Sequence, residues 1–318
     1  MIKKVPIPTA GLMLGLAALG NLLAPYSISV KYICGLLSAL LGVLLIAKIV
    51  FYPRLIKNDM TGNSIFASVS ATFFMAVMQL CTYTAPFFYE ASEFVWHGAV
   101  IMQFALMIWF TFKYMRHMNL KEVFPTYFIA YVGIVVASVT APVFGRQALG
   151  EDIFWFGFIM YAAMFALITV RYIKHSVAEP AKPLFCIYTA PMSLSLAGYL
   201  ASADDKSVAM IVAMQIAAQI LLIVVLAQMP KLLALPFYPS YAAFTFPFVI
   251  TAVALTQTLK YLRSESIAVP AALDYVVMAE TAIAAAIVFY VTIRYAVFFY
   301  GHFVQALNEA KQSVTAVK

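Results

Sequence analysis

Apolar segments of about 20 residues recur from one end of the chain to the other, and this pattern constrains the fold more than any other feature. A segment of that length crosses a lipid bilayer as one helix. Of the 318 residues, 64% are hydrophobic and 10% are charged, and the mean hydropathy is +0.94. Soluble domains carry about 25% charged residues. The sequence therefore predicts an all-α integral membrane protein.

Ten transmembrane helices fit the apolar pattern, and we expect them to form a single domain over residues 1–302 with a cytoplasmic tail over 303–318. Short connections make consecutive helices antiparallel neighbours. The predicted spans are 8–24, 29–52, 64–84, 91–115, 124–143, 152–174, 184–202, 207–229, 240–260 and 270–300.

Basic residues are distributed unequally between the two sides of these spans. The side of the N terminus holds fifteen of the 20 Lys and Arg residues, whereas the opposite side holds five. The positive-inside rule therefore places both termini in the cytoplasm of a multi-pass cell-membrane protein.

The odd-numbered spans begin at intervals of about 60 residues, so the chain resembles five helical hairpins in series. Every hairpin starts and ends on the same side, which makes the repeats parallel. Such repeats either string out or close into a ring.

The two helices of each hairpin differ in chemistry. Even spans carry intramembrane or boundary charges such as Lys48, Lys113, Arg171 and Arg294, whereas odd spans have uncharged cores with neutral polar groups. We interpret the odd helices as an inner quasi-fivefold ring around a central pore of about 3 Å radius. The alternative is that hydroxyls only let helices pack closely. The candidate pore-lining residues are Thr9, Ser68, Thr72, Ser138, Ser193, Thr245 and Thr251.

Prolines and phenylalanines mark the ninth span, which is uncharged until Lys260. A helix that only met lipid would not need Pro247, and irregular backbone at membrane depth lines a cavity or is buried in protein. We therefore predict pore kinks at Pro142, Pro191 and Pro247, whereas the third span has no such proline. Phe244, Phe246 and Phe248 surround the last kink, so we expect an aromatic plug there, and spacing alone does not choose among them. A buried, kinked helix packed with aromatics is the alternative.

Signatures of enzymes and of metal centres are missing from the sequence. It has no nucleophile–base pair, HExxH or phosphate loop, and its three cysteines form no CxxC. We expect no catalytic residue, metal, cofactor or nucleic-acid partner. Glu280 in the tenth span is either a proton- or ion-coupling residue or a protonated or Arg-paired side chain between helices. A bore without acidic residues, with a basic cytoplasmic mouth, favours anions.

Three segments carry a resemblance to a known family. PIPTAGLMLGLAALGNLL, AEPAKPLFCIYTAPMSLSLAGYL and AAFTFPFVITAVAL resemble the tellurite-resistance/C4-dicarboxylate transporter family, which includes the slow-type anion channels of plants. The resemblance covers essentially the whole chain. It implies five hairpins in a ring, a pore through each subunit, a homotrimer, and Phe246 as the residue that blocks the pore. It also implies small monovalent anions such as chloride and nitrate as permeant species, whereas other members are associated with malate, sulfite or tellurite.

Two functions remain at this point: an anion channel, and a secondary carrier or exporter of C4-dicarboxylate, sulfite or tellurite that Glu280 could couple to protons. A dicarboxylate carrier needs fixed cationic side chains to hold two carboxylates. The odd spans supply none at mid-depth, which favours the channel.

Overall fold

The computed structural model describes the backbone of residues 2–316, and the side chains of those residues except 306, 307 and 309–316. Residue 1 and the last two residues of the predicted tail, 317 and 318, lie outside the described part. Every regular element within residues 2–316 is a helix, so the all-α prediction is confirmed.

Ten helical segments, here α1 to α10, follow one another along the described chain. One further α-helix, Pro53–Gly62, connects α2 to α3, and short 3₁₀ helices over Ile2–Lys4 and Leu120–Glu122 precede α1 and α5. The segments are α1 Thr9–Leu23, α2 Ile28–Phe51, α3 Ser64–Thr84, α4 Tyr89–Met115, α5 over 126–144, α6 Gln147–Lys174, α7 Glu179–Ser202, α8 Val208–Leu233, α9 Pro239–Ser264 and α10 Ala272–Ala316.

Eight of these segments are long and apolar enough to cross a membrane, and α1 and α5 are shorter. The α1 helix has 15 residues, whereas a straight helical crossing needs about 20. The α5 segment is divided into short helical pieces, of which Gly133–Phe144 is the longest apolar run. The described chain is thus a multi-span membrane protein whose two shortest helices both belong to the odd-numbered set.

Local sequence signals explain where several helices begin and end. The Ser27 side chain accepts a hydrogen bond from the backbone N–H of Val30 at the start of α2, and Ser207 does the same for Met210 at the start of α8. These caps satisfy N–H groups that the first helical turn leaves unpaired. Gly145 adopts φ +64° directly after α5, a conformation that glycine takes without strain, and this ends the segment.

Odd and even helices differ clearly in burial. About 33% of the apolar stretch is buried in each even helix, compared with 56% in α3 and 78% in both α7 and α9. The exposed large side chains of α2 include Leu36, Leu40 and Val43, which form an apolar outer surface suited to lipid. The odd helices therefore form the interior of the molecule.

Contacts between the odd helices follow a cyclic order. Helix α1 packs against α3 and α9, α5 packs against α3 and α7, and α7 packs against α9. Each odd helix also packs against the even helix that follows it in the chain.

Four of the five hairpins share a structural detail that reflects the sequence repeat. In the second half of the even helix, one side chain donates a hydrogen bond to a backbone carbonyl at the entry of its own odd helix. These bonds are Lys48 to Val5 at 2.7 Å, Tyr114 to Met60 at 2.6 Å, Arg171 to Lys121 at 3.3 Å and Tyr295 to Pro239 at 2.5 Å. Three of these carbonyls lie where the chain is not α-helical, and that of Met60 lies in the last turn of Pro53–Gly62, where the helix leaves carbonyls unpaired, so the bonds fix the path by which each odd helix is entered.

Candidate functional site

The α9 segment changes its helical type one third of the way along. Pro239–Phe244 forms a 3₁₀ helix, and the α-helix begins at Phe246. Thr245 joins the two with φ −91° and ψ −86°, and its hydroxyl donates to the Gly11 carbonyl of α1 at 3.0 Å. Pro247 lies in the first turn of the α-helix, where its missing N–H costs no helical hydrogen bond. The proline therefore marks the start of a helix after a break.

The α7 segment repeats this arrangement. A 3₁₀ helix over Glu179–Thr189 leads into an α-helix over Ala190–Ser202, and Pro191 lies in its first turn. In α5 the proline lies at the far end of the segment. Pro142 is in the first turn of a short 3₁₀ helix, Ala141–Phe144.

The α3 segment is interrupted without a proline. Its α-helix stops at Val69 and resumes at Ala71. The hydroxyl of Ser70 donates to the Ala67 carbonyl at 2.6 Å, and that of Thr72 donates to the Val69 carbonyl at 2.5 Å. Such bonds to carbonyls three residues back compete with the helical ladder. The break in α3 is thus accompanied by hydroxyl groups, whereas the breaks in α7 and α9 are each followed by a proline.

An inner cavity of about 270 Å³ lies between the odd helices, towards their N-terminal ends. The residues that line it belong to α1, α3, α5, α7 and α9 or directly precede one of these helices, and none of them is charged. Its polar lining residues are Asn63, Thr72, Tyr238 and Ser240, and the rest of its wall is apolar, backbone aside. Near its mouth the Tyr238 hydroxyl donates to the Glu179 carboxylate at 2.7 Å, which raises the pKa of Tyr238.

The three phenylalanines of α9 have different surroundings. Phe246 lines the inner cavity, whereas Phe244 and Phe248 do not. Phe244 is fully buried, with its ring centroid 4.7 Å from that of Tyr241, and Phe248 is 1% exposed. On α1, α3 and α7 the lining residues farthest along each helix are Leu14, Met75 and Leu194, which are all large and apolar.

Of the seven hydroxyl residues predicted to line a pore, Thr72 lines the inner cavity. The other six are at most 2% exposed. Ser68 donates to Thr126 of α5 and Thr245 to Gly11 of α1, Ser193 and Thr251 donate to carbonyls of their own helices, and Thr9 and Ser138 make no side-chain hydrogen bond with described residues.

An outer cavity of about 360 Å³ follows the inner one along α1, α3, α5 and α9, towards their C-terminal ends, and α7 does not line it. It is the more polar of the two. Its polar and charged lining residues are Asn21, Lys31, Gln79, Thr82, Thr140, Thr256 and Gln257. Lys31 is its only charged lining residue, and it comes from the start of α2.

Side chains of α1 and α3 hold one wall of the outer cavity together. The Asn21 amide donates to the Gln79 carbonyl oxygen at 2.8 Å and to the Thr82 hydroxyl at 3.1 Å. The Tyr83 hydroxyl donates to the Ala17 carbonyl at 2.5 Å. The Lys31 ammonium lies 5.0 Å from the centroid of the same Tyr83 ring. These contacts fix polar groups at the cavity surface.

Glu280 lies outside both cavities, on α10. Its side chain is buried, and neither carboxylate oxygen has a hydrogen-bond partner among the described residues. The Gln219 amide of α8 lies next to it. No basic side chain within the described residues forms an ion pair with it.

Sequence reasoning singled out Phe246 and Thr72 but did not identify the outer cavity. Lys31, Gln79 and Gln257 come from three different helices, so no local motif joins them. The one available signal was Lys31 itself, a rare basic residue on the side of the membrane that holds few of them.

Comparison with known proteins identifies the family. The family model SLAC1, described as voltage-dependent anion channel, matches residues 4–301. A search of curated proteins gave no match.

Proposed function

The chain belongs to the voltage-dependent anion channel family, and we propose that it is a channel for small monovalent anions such as chloride and nitrate. The observation that carries the proposal is the inner cavity: five helices wall it, and of the three candidate phenylalanines only Phe246 lines it. Members of this family are channels and transporters rather than enzymes, which agrees with the expected lack of catalytic residues.

In this proposal the odd helices form a quasi-fivefold ring and the even helices surround it. The cyclic contacts support this arrangement, and so does a polar bond between every pair of adjacent odd helices. These bonds are Asn21 to Gln79, Ser68 to Thr126, Ser202 to Ser138, Ser240 to Pro180 and Thr245 to Gly11. Interhelical hydrogen bonds of this kind stabilise membrane helices by about 0.6 kcal/mol each. The α1 and α5 segments are short as helices because part of each crossing is irregular backbone, which protein or a cavity must satisfy.

Phe246 is the gate in this proposal. Phe246 lines the inner cavity, and Ile250, about one turn later on α9, lines the outer one, which supports a gate at the boundary between them. Leu14 and Leu194 stand at the same depth, so an anion that passes must lose water without gaining hydrogen bonds. The pore kinks at Pro191 and Pro247 support the gate because they place the break in each helix beside the cavity.

Charge supports selectivity for anions. Neither cavity is lined by an Asp or Glu residue, and the single charged lining residue is basic. A ring of acidic side chains would be expected in a cation channel. The carrier alternative is less well supported, because a dicarboxylate needs two fixed cations and the cavities offer one.

The unequal distribution of basic residues supports a multi-pass cell-membrane protein whose termini and tail lie in the cytoplasm. We also propose a homotrimer, for which the family resemblance is the support.

Substitution of the gate residue tests the proposal. With the purified protein in planar bilayers, Phe246→Ala should raise chloride conductance by a factor on the order of ten or more, which corresponds to a barrier lowered by about 1.4 kcal/mol. Phe244→Ala, which removes an equal ring outside the cavity, is the control and should leave the conductance low. Equal currents in the two variants, or a reversal potential that follows the cation gradient, would refute the proposal. Saturable, proton-dependent flux would favour the carrier.

A further inference from the structure

The outer cavity contains a cation without a partner. Among the described residues, no carboxylate pairs with Lys31, and no protein acceptor forms a hydrogen bond with its ammonium. The two arginines near this end of the molecule are used differently. Arg146 pairs with Glu93 and Arg263 pairs with Asp274, each at 2.7 to 2.8 Å.

The position of Lys31 is fixed by aromatic rings. Its ammonium lies 5.0 Å from the Tyr83 ring centroid and 6.0 Å from that of Tyr32, within range of a cation–π interaction. Tyr83 is itself tied to α1 through its bond to Ala17. The ammonium is therefore held at the cavity wall while its donors remain free.

Two amide groups add neutral donors to the same cavity. The Gln79 oxygen accepts from Asn21, so the Gln79 amide nitrogen is left without an acceptor among the described residues. The Gln257 side chain forms no hydrogen bond with the described residues, and its oxygen is buried without a partner. An ammonium group and two amide N–H₂ groups thus line one cavity without protein acceptors.

We propose that the outer cavity is an anion-binding site formed by Lys31, Gln79 and Gln257, and that it concentrates small monovalent anions at the outer mouth of the pore. Its role as a pore mouth rests on the proposed channel function, but the binding site itself does not. One fixed charge with neutral donors suits chloride or nitrate, and binds them weakly enough for release. A dicarboxylate would leave its second charge without a counter-ion.

A cysteine reporter measures the site without any need for conduction. Thr256 lines the outer cavity, and the native Cys34, Cys81 and Cys186 are buried, so Thr256→Cys supplies one accessible thiol there. The rates of its modification by an anionic and by a cationic methanethiosulfonate report the local potential. Removal of a unit charge at roughly 6 Å in water should change each rate by about threefold, in opposite directions.

We therefore expect Lys31→Gln, in the Thr256→Cys protein, to lower the ratio of anionic to cationic rates by about tenfold at low ionic strength. Lys31→Arg should preserve the ratio. Lys260→Gln is the matched control, because Lys260 is an exposed residue near the same end of the molecule and does not line the cavity. In a second measurement, nitrate replaces gluconate at constant ionic strength. Nitrate should slow modification of the thiol by the anionic reagent in the Thr256→Cys protein, and it should not do so when Lys31→Gln is added.

An unchanged ratio in Lys31→Gln, or equal nitrate protection with and without the lysine, would overturn the proposal. Thermal unfolding and size-exclusion profiles confirm that the variants fold, and Lys31→Arg provides a second check. If the ratio and the protection change as expected but no current is found in bilayers, the site stands and the channel fails. If anion currents are found but the ratio of rates does not change, the channel stands and the binding site fails.

Discussion

The inner and outer cavities share four lining helices, α1, α3, α5 and α9, yet they differ in chemistry. The inner cavity is lined mainly by prolines, alanines and large apolar side chains, and none of its lining residues is charged. The outer cavity has amides, hydroxyls and one lysine. An anion can remain hydrated or hydrogen-bonded in the outer cavity, whereas in the inner cavity it meets few donors.

In the proposed channel, this difference assigns anion binding to one cavity and the control of passage to the other. In the channel that we propose, the outer cavity attracts and binds an anion, and Phe246 in the inner cavity prevents its passage. Selection by charge and control of passage would then occur at different depths, and each can be altered without the other.

The boundary between the cavities is closely packed, and it should be sensitive to substitution. Gly15 lies on α1 between Leu14, which lines the inner cavity, and Ala18, which lines the outer one. A methyl group at Gly15 would overlap the Thr245 side chain and come within 3.2 Å of the Phe246 backbone nitrogen. We expect Gly15→Ala to lower the free energy of unfolding by about 1–3 kcal/mol, because overpacking forces α1 and α9 apart. Thermal unfolding in detergent measures the effect.

Gly98→Ala is the control for this change. Gly98 lies in the middle of α4, and a methyl group there meets nothing within 4 Å. Alanine favours a helix by up to about 1 kcal/mol over glycine, so this variant should be as stable as the parent or more stable. If Gly15→Ala were equally well tolerated, the close approach of α1 to α9 at the boundary would be wrong.

A second experiment adds a polar group to the wall of the apolar inner cavity. Leu194 lines the inner cavity with Phe246, and asparagine has as many side-chain heavy atoms in a similar branched shape, with hydrogen-bonding groups. In the Phe246→Ala background, Leu194→Asn should raise chloride conductance about two- to tenfold, since one added hydrogen bond contributes about 0.5–1.5 kcal/mol. Single-channel recording distinguishes this from a change in the number of channels.

The matched substitution in the outer cavity is Val253→Asn. That cavity already offers donors, so the conductance of this variant should differ from its Phe246→Ala parent by less than Leu194→Asn does. Equal increases at both positions would show that the apolar wall of the inner cavity is not the barrier.

The sequence predicted the all-α membrane class and the family, because hydrophobic length and motif identity are properties of continuous segments. It could not predict which way a hydroxyl points. Ser193 and Thr251 are polar in composition but bond to carbonyls of their own helices, so an enrichment of hydroxyls does not distinguish a pore wall from a packed interface.

The helix breaks and the cavities were harder to predict than the membrane class, because they depend on how side chains from different helices pack. Proline signals the breaks of α7 and α9, whereas the break of α3 at Ser70 has no such signal, since serine is also common within membrane helices. The outer cavity is lined by Lys31 of α2 and by Gln257 of α9, which are far apart in the chain, and only the packing of α2 and α9 around α1 and α3 brings them to one cavity.

The smallest effect is expected at Glu280, which belongs to neither cavity. Its carboxylate is buried without a partner on α10, and a charge there would be costly. Glutamine keeps the shape and removes that cost, so in a passive channel Glu280→Gln should change anion conductance by less than about twofold and leave stability equal or higher. Glu265→Gln, at an exposed acidic residue next to the end of α9, controls for the loss of one negative charge. If Glu280→Gln alone abolished a pH-dependent anion uptake into proteoliposomes, protons would be coupled to transport through this residue, and the separation of binding from passage between two cavities would have to include α10.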